Sequence, residues 1–399
     1  MEKIIKTIKA QDTIWVMENN ENSDKIFKDY ITDKISSSAF IIVSNKKSYL
    51  LVHKLDEGNV SDLKSQNCSI YSYSNSNEFL NNLENILKEL EFPSKILFSY
   101  TTMSDENTNI ISYGSYLKIN RLLRKIYKKN NKGFRKGSSE KNIYELISTY
   151  NEKQIKRLDL LANITHDILE ITFKNIKVGQ TEIEIAKNTQ NITVEYMNKI
   201  KNRYNFKAYD FAWDNCPIVL LGDNLEKGGH SIPSNLKLEK GNTVYFDFGL
   251  KVTFEDDEIL YTDMQRMGYV LKPDENTAPE NILKVFNTLM ESVTMGMEKL
   301  KPGINAYKID EVVRNKILEK YPNYPHATGH SVGKSVHGGG ALISAKGSKR
   351  TNLKLVENSI YTLEPRIAIK NGGSIEEMIL VTKTGGKIIG KRQENLYII

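Results

Sequence analysis

Five side chains between positions 247 and 376 are of the types that bind divalent cations. Four are carboxylates and one is an imidazole, and each lies at the end of a strand-like or glycine-marked segment: Asp247, Asp263, His330, Glu364 and Glu376. Such groups are hard ligands for divalent metal ions. If they meet in one pocket, their like charges raise one another's pKa values unless cations offset them. Convergence of these side chains would therefore imply a metal centre.

The first two carboxylates lie in neighbouring strand-like runs. Asp247 is in VYFDFGL and Asp263 in LYTDMQR, and the acidic turn FEDDE separates them. This pattern predicts a hairpin that brings both carboxylates to one end. Either aspartate could instead be an exposed strand residue. An ionised Asp247 between Phe246 and Phe248 needs a partner if the strand is buried, which favours a site.

The other three candidates lie in a second stretch. His330 belongs to PHATGHSVGKSVHGGG, which holds three of the six histidines, with His326 and His337 on either side. A single histidine is more often a core or surface residue than a ligand, but this density among glycines favours a site. Glu364 in YTLEPRIAI and Glu376 in GGSIEEMILV interrupt apolar strand patterns. That placement costs several kcal/mol without a compensating charge.

The 399-residue chain has an ordinary globular composition, with 39% hydrophobic and 26% charged residues. This length allows two domains with separate cores. The start, MEKIIKTIKAQ, interleaves isoleucine with lysine, and other apolar runs are short. We therefore expect no transmembrane helix, no secretory segment and a cytoplasmic location. Cys68 and Cys216, the only cysteines, fit buried free thiols better than a disulfide framework.

The net charge of +7 is unevenly distributed. Residues 118–136 are rich in lysine and arginine, hold no acid and include Tyr127 and Phe134, which makes them a candidate nucleic-acid or anionic-surface patch. The alternative is a solvated helix end that runs into a linker, because Gly, Ser and Asn are frequent in the stretch 124–142. We favour the linker and expect no nucleic-acid partner.

Strand and helix patterns alternate in the first part of the chain. Leucines at helical spacing occur between positions 80 and 90, and four segments are strand-like: 13–17, 39–43, 48–52 and 96–100. Short elements of both kinds predict a small mixed α/β domain over residues 1–143.

Helix pairs recur in the second domain, predicted over residues 144–399. The first pair has Asn151 and Thr181 as its predicted N-caps, and a second pair follows between positions 282 and 317. The turns KVG and KPG occupy equivalent places in the two pairs, and strand-rich sequence follows each. Such turns are common after helices, but the repeat also divides the ligand candidates between its halves. We therefore predict an internal duplication.

Together these segments resemble the metallopeptidase family of Xaa-Pro aminopeptidases, prolidases and methionine aminopeptidases, which has the pita-bread fold. Five motifs carry the resemblance in the family's order: D-x-G at 247–249, D-x-x-R at 263–266, T-G-H-x-x-G at 328–333, L-E-P at 363–365 and I-E-x-M-x-L-V-T at 375–382. Residues 1–143 resemble the creatinase-type N-terminal domain of the Xaa-Pro branch. The resemblance implies an α+β chain in which a smaller mixed α/β domain precedes a pita-bread domain with pseudo-two-fold duplication.

The resemblance also implies roles. Asp247 would bind one metal bidentately, Asp263 and Glu376 would bridge two metals, and His330 and Glu364 would bind the other. Catalytic roles are implied for four side chains, the general base and three histidines that contact substrate or shuttle protons: Glu364, His230, His326 and His337. Histidine suits such work because its pKa lies near working pH.

The implied activity is that of a dinuclear-metal exopeptidase that hydrolyses Xaa-Pro bonds in short peptides. Two divalent cations about 3.5 Å apart would lower the pKa of a bridging water, and the resulting metal-bridging hydroxide would attack the peptide. Manganese is the favoured metal, and Co, Zn or Fe would also accept this ligand set. Similarity further implies a homodimer. The short apolar runs predict that it does not associate with membranes.

Departures from the family pattern leave alternatives open. The Asp247–Asp263 spacing is longer than usual, Gln265 replaces a threonine, Gly338 replaces a glutamate, and Ser374 stands where Xaa-Pro enzymes often carry arginine. An aminopeptidase without proline specificity is one alternative. Another is a catalytically silent pita-bread protein that binds partners through its basic patch. A creatinase-like hydrolase without metal is disfavoured because the ligand set is intact.

Overall fold

The structure is a computed structural model that describes residues 1–19, 25–102, 110–226, 231–324 and 326–399. It divides into two compact units, Met1–Ile147 and Ser148–Ile399. The assignment of residues 1–143 to a creatinase-type domain stays a prediction. Among the described helices, none is both long and apolar enough to cross a membrane.

The first unit is built around a mixed sheet of six described strands. The helices around it are α1 (Glu2–Lys6), α2 (Lys25–Tyr30), α3 (Ser76–Glu89), α4 (Tyr113–Lys129) and α5 (Glu140–Ser148). The strands are β1 (Thr13–Asn19), β2 (Ala39–Val43), β3 (Ser48–His53), β4 (Cys68–Tyr73), β5 (Lys95–Phe98) and β6 (Arg135–Ser138). Their order is β4-β3-β2-β1-β5-β6. A 3₁₀ segment, Lys54–Gln66, connects β3 to β4.

Both faces of this sheet are buried because its central strands are apolar on both sides. Trp15 and Met17 of β1 share a core with side chains of α1, α2 and α5. Ile14 and Val16, which point to the opposite face, share a second core with side chains of α3 and α4. The unit therefore has helices on both faces of the sheet, and the predicted strands at its centre are confirmed.

The basic residues 118–136 do not form a linker. They make up the end of α4, the turn after it and the start of β6, an edge strand of the sheet. Tyr127 is 1% exposed, and the ring of Phe134 packs against it with centroids 4.8 Å apart. The predicted helix end is therefore present, but a turn and an edge strand follow it instead of a linker. The buried Tyr127 ring cannot stack on a base.

The second unit begins with a helix pair and repeats that plan once. Its helices are α6 (Glu152–Asn175), α7 (Glu182–Ile200), α8 (Glu280–Lys299) and α9 (Ala306–Leu318). The strands of its first half are β7 (Phe206–Phe211), β8 (Ile218–Leu221), β9 (Thr243–Phe248), β10 (Leu250–Phe254), β11 (Ile259–Tyr261) and β12 (Met264–Tyr269). The strands that come after α9 in the chain are β13 (Gly329–His330), β14 (Leu342–Ile343), β15 (Ile360–Leu363), β16 (Arg366–Ile367), β17 (Gly373–Ser374), β18 (Glu377–Thr382), β19 (Gly385–Ile388) and β20 (Tyr397–Ile398).

The turns between paired helices repeat in backbone detail. Gly179 and Gly303 have φ values of +93° and +85°, which glycine adopts without steric cost. The amide of Gly179 donates to the Leu238 carbonyl at 2.8 Å, and that of Gly303 donates to the Leu355 carbonyl at 2.9 Å. Equivalent turns held by equivalent bonds confirm the predicted internal duplication.

Helices α6 and α7 begin where the sequence predicts. Asn151 caps α6 in a capping box with Gln154, and Thr181 caps α7 in a capping box with Glu184. Each such cap contributes about 1 kcal/mol to stability. The caps fix where each helix starts, and the apolar side chains of each helix set the face that is buried.

Two antiparallel strand pairings organise the segment from β9 to β12. Strands β10 and β11 form the predicted hairpin around the acidic turn, while β12 pairs antiparallel with β9. The chain bends at Gly249, where an added Cβ would lie 2.2 Å from the Thr262 carbonyl oxygen. Only glycine allows this close approach, which places the end of β9 beside the start of β12.

Candidate metal centre

Strands of the first half place two of the predicted ligands side by side. Asp247 is the fifth residue of β9 and Asp263 directly precedes β12. Because Gln265 is the cross-strand partner of Asp247 and side chains alternate along a strand, residues 263 and 265 lie on the same face as Asp247. Both aspartates are buried, with 7% and 4% of their surface exposed.

The second half supplies the other three ligand candidates. His330 lies in β13, Glu364 directly follows β15, and Glu376 directly precedes β18. The Glu364 amide donates to the Thr328 carbonyl at 2.8 Å, and the Glu376 amide donates to the Gln265 carbonyl at 3.1 Å. This last bond joins the two halves at the ligands themselves.

All five predicted ligands meet in one cluster. Groups whose ligand atoms lie within 4.8 Å of one another are Asp247, Asp263 and Glu376; His330, Glu364 and Glu376; and Asp263, His330 and His337. Asp263, His330 and Glu376 each belong to two of these groups. Overlapping groups of this kind suit two adjacent cations better than one.

The imidazole of His330 faces the carboxylates with a lone pair. Its Nδ1 lies 3.2 Å from the Ser331 carbonyl oxygen, which can only accept, so Nδ1 carries the proton and Nε2 does not. Nε2 lies 3.4 Å from Glu364, 3.6 Å from Asp263 and 3.8 Å from Glu376, measured to the nearest carboxylate oxygen. A lone pair amid carboxylate oxygens is stable only if a cation or a proton lies between them.

The carboxylates strongly resist ionisation in this arrangement. Burial raises the pKa of Asp247 from its ordinary value of 3.8 to about 7, against the lowering effect of hydrogen bonds with Asp263 and Tyr245. Burial, and after it the charges of neighbouring carboxylates, raise the pKa values of Asp263, Glu364 and Glu376 well above their usual range. Burial and then the His337 charge lower the pKa of His330 to about 3.

Oxygen atoms without partners fit cation ligands. Among the described residues, Oδ1 of Asp247 and both carboxylate oxygens of Glu376 are buried and accept no hydrogen bond. Leaving a buried carboxylate unpaired costs several kcal/mol. The donor set of four carboxylates and one imidazole is one that divalent Mn, Co, Zn or Fe accepts. The residues present therefore fit a metal centre.

Two of the three predicted catalytic histidines, His326 and His337, lie at the edge of this cluster. His337 is exposed, and its ring centroid lies 4.5 Å from that of His330. The Nδ1 of His326 donates to the Ala327 carbonyl at 2.6 Å and lies 3.8 Å from Oε2 of Glu364. His230 lies outside the described residues.

A cavity of about 220 Å³ opens onto the ligands. Its apolar walls come from Trp213, Ile218, Ile232 and Val336, and its polar floor includes Asp247, Asp263, Gln265, His330 and Glu364. The cavity therefore combines an apolar recess with a reactive floor, as small-molecule sites commonly do.

The model of metallopeptidase family M24 matches residues 156–383 of this chain, which include all five ligand candidates. The chain belongs to this family. An uncharacterized peptidase of Staphylococcus haemolyticus is 29% identical over 262 residues. That match covers 63% of this chain, and the chain spans 65% of the length of that curated relative.

Solved structures share the fold over almost the whole chain. The Xaa-Pro dipeptidase of Bacillus anthracis matches with a TM-score of 0.61 and 22% identity, covering 100% of this chain and 99% of that one. The X-Pro aminopeptidase of Thermotoga maritima matches with a TM-score of 0.60 and 19% identity, covering 97% of each. The predicted pita-bread architecture of the M24 chain is therefore confirmed.

Sequence reasoning missed a buried cation next to Asp247. Arg366 is 3% exposed, and its guanidinium lies over the Tyr245 ring, 5.5 Å from the centroid. The Tyr245 hydroxyl donates to Oδ2 of Asp247 at 3.4 Å. Arg366 is the cross-strand partner of Ser374, so this M24 chain has an arginine one strand away from the position where the family pattern led us to look for one. A charged residue within the apolar run YTLEPRIAI was the available signal.

A buried ion pair supports the other side of the ligands. Arg266 donates to Glu377 at 3.1 Å, and the side chains of both are fully buried. Nη1 of Arg266 also donates to the carbonyls of Gln265 and Glu376, at 3.0 and 2.8 Å. The arginine of the family's D-x-x-R motif thus holds the backbone on which the ligands are mounted.

Proposed function

We propose that this protein is a dinuclear-metal exopeptidase that hydrolyses Xaa-Pro bonds, of the aminopeptidase P or prolidase type. The observation that carries the proposal is a cluster contributed by both halves of the fold, in which three carboxylates surround the unprotonated Nε2 of His330 and Asp247 groups with two of them. Membership of family M24 and a fold shared with an Xaa-Pro dipeptidase and an X-Pro aminopeptidase support it.

The five ligands would hold two divalent cations, with manganese as the favoured metal and Co, Zn or Fe as alternatives. Asp263 and Glu376 would bridge the pair, since each belongs to a group on the Asp247 side and to a group that contains His330. When bound, such cations polarise the scissile carbonyl and lower the pKa of water.

Glu364 would act as the general base. One of its oxygens faces His330 and the other accepts a hydrogen bond from Gln265, so its orientation is fixed from two sides. His326 stands 3.8 Å from the same carboxylate and would pass on the proton. His337, which lines the cavity, would donate to the substrate carbonyl, and His230 keeps its predicted substrate-side role.

The cavity suits a short peptide with an apolar residue at the scissile bond. Trp213, Ile218, Ile232 and Val336 offer apolar contact, and the volume of about 220 Å³ limits the length of what can enter. A proline ring satisfies both conditions. Short Xaa-Pro peptides with small or medium apolar first residues are therefore the proposed substrates.

A second candidate is an aminopeptidase without proline specificity. It is favoured by Ser374, whose hydroxyl donates to the Pro365 carbonyl and whose position carries no charge of its own. A catalytically silent binding protein is disfavoured because the ligand set is intact and its oxygens lack other partners. A homodimer and a cytoplasmic location remain part of the proposal. The two buried free thiols are in keeping with a reducing compartment.

The test compares metal-depleted protein with protein reloaded with Mn²⁺. Xaa-Pro dipeptides, longer Xaa-Pro peptides and Met-starting peptides are offered as substrates, and bound metal is counted by elemental analysis. We expect about two ions per chain and turnover of Xaa-Pro peptides only. Asp263→Asn should abolish both metal binding and peptide turnover. Asp257→Asn, an exposed control in the acidic turn, should change neither metal binding nor turnover. A wild-type protein that binds no metal after supplementation would refute the proposal, and cleavage of Met-starting peptides at rates similar to those of Xaa-Pro peptides would favour the second candidate.

A further inference from the structure

Gln265 is a buried amide on the floor of the cavity. It is 5% exposed and lines the space next to the predicted ligands. Its cross-strand partner is Asp247, and its backbone pairs with that of Glu376. Because Asp263 is two residues earlier on the same face, Gln265 stands between ligands contributed by both halves.

The nitrogen of this amide holds Glu364. Nε2 donates to Oε2 of Glu364 at 3.2 Å, while the other oxygen of Glu364 faces Nε2 of His330 at 3.4 Å. Once a cation occupies the centre and Glu364 is ionised, its carboxylate accepts only, so the amide presents its NH₂ group to it, and this fixes where the carbonyl oxygen points. Gln265 therefore engages Oε2 of Glu364 in a hydrogen bond, and Oε1 remains available to the metal centre.

The oxygen of the amide has no partner. Oε1 of Gln265 is buried and accepts no hydrogen bond from any described residue, a condition it shares with Oδ1 of Asp247 and both carboxylate oxygens of Glu376. A buried amide oxygen left unpaired costs about 1–3 kcal/mol. Its neighbours are acceptors as well, so only a cation or an added donor can satisfy the whole set.

We propose that Gln265 is a sixth, neutral residue of the metal centre, positioning Glu364 through its amide nitrogen and contributing its carbonyl oxygen to cation binding. This inference rests on the proposed function. It assigns a role to a position at which the chain departs from the pattern of its family, and it gives the centre a ligand that adds no negative charge. Since four buried carboxylates already oppose one another, a neutral oxygen adds coordination without further repulsion.

The experiment compares Gln265→Met and Gln265→Glu with the wild type in the full-length chain. Methionine has similar length but neither donates nor coordinates as an amide does, whereas glutamate keeps an oxygen and loses the donor. Gln393→Met is the matched control. Gln393 is 1% exposed, and its amide is fully partnered by Met267 and Asn395 away from the ligands.

The readouts are Mn²⁺ affinity by calorimetry on metal-depleted protein, the visible absorption of the Co²⁺-loaded protein, and Tm with and without metal. Gln265→Met should lose about 10–100-fold in affinity, as substitutions beside metal ligands typically do, and should change the cobalt spectrum. Its metal-free Tm should change little, because removing the unsatisfied acceptor Oε1 offsets the lost hydrogen bond to Glu364. Gln265→Glu should bind Mn²⁺ within a few-fold of wild type but lose kcat. Gln393→Met should lower Tm and leave affinity and spectrum unchanged.

Wild-type affinity and an unchanged cobalt spectrum in both Gln265 variants would overturn the inference. So would a loss of affinity in Gln393→Met equal to that in Gln265→Met, since the effect would then be general destabilisation. Failure of the wild type itself to bind Mn²⁺ or Co²⁺ is a different result, because it removes the proposed function and not this residue alone.

Discussion

Removing the metal should make the stability of this protein fall as pH rises from about 4 to about 7. In the metal-free protein the pKa of Asp247 is about 7 instead of its ordinary 3.8. Between these values the folded state holds a proton that the unfolded state has released, so each step up in pH favours unfolding. The stabilisation is complete below pH 4 and is lost as pH passes through 7. Asp263, Glu364 and Glu376, whose pKa values are also raised, act in the same direction.

The size of the stability change follows from the pKa shift of Asp247. A displacement of about three pKa units for Asp247 corresponds to about 4 kcal/mol, since each unit is worth about 1.4 kcal/mol. For a domain of this size 1 kcal/mol moves Tm by about 2–4 °C, so Tm of the metal-free protein should drop by roughly 10 °C across this pH range. Bound metal opposes the trend, and Mn²⁺ at a hundred times its Kd adds about 2.7 kcal/mol.

The assay is a series of thermal melts between pH 4 and pH 8 on metal-free and Mn²⁺-loaded protein. Asp247→Asn is the matched variant, because asparagine has the shape of the protonated aspartic acid and does not titrate. Without metal it should equal wild type at pH 4 and be the more stable of the two at pH 8. A metal-free wild type whose Tm is constant or rises between pH 5 and pH 7 would show that these carboxylates are not crowded in a common buried site.

Three further outcomes follow from particular contacts. Arg366→Met removes a charge that lowers the pKa of Asp247, so the pH at which metal-free Tm falls should move upward in the same melts. Arg266→Met removes the only ion-pair partner that the fully buried Glu377 has among the described residues. It should lower the free energy of unfolding, measured with denaturant, by about 3–5 kcal/mol. Thr181→Ala should cost about 1 kcal/mol, whereas Asn305→Ala, at the equivalent position of the second half, should cost less because Asn305 makes no capping bond through its side chain.

The meeting of the ligand candidates could be anticipated because of where they stand in the sequence. Asp247, Glu364 and Glu376 interrupt apolar strand patterns, and a carboxylate in that position needs a compensating partner. The need for a partner depends only on the neighbouring residues, so it can be recognised in the sequence. Which ligand atom faces which cation, in contrast, depends on residues that are distant in the sequence. The orientation of Glu364 depends on Gln265 and His330, which are far from it in the chain and reach it only through strand pairing.

Other parts of the site were hidden for the same reason. Gln265 reads as an ordinary polar residue of a strand until its register opposite Asp247 is known. Arg366 was visible as a charge in an apolar run, but its partners Leu225 and Tyr245 come from elements that the sequence does not link to it. The basic residues 118–136 were misread as a linker because Gly, Ser and Asn also occur in turns before short edge strands.

The duplicated architecture explains why metal binding and folding of the second unit must be coupled. Each half contributes ligands that repel one another once ionised, and the Glu376–Gln265 backbone bond joins the halves at the point of greatest repulsion. The Arg266 guanidinium fixes the backbone there, and its hydrogen bonds go to Glu377 and to backbone carbonyls. Its charge therefore cannot replace a cation among them. Neutralisation has to come from bound protons, which are lost as pH rises, or from metal, so occupancy of the centre should determine how tightly the two halves hold together.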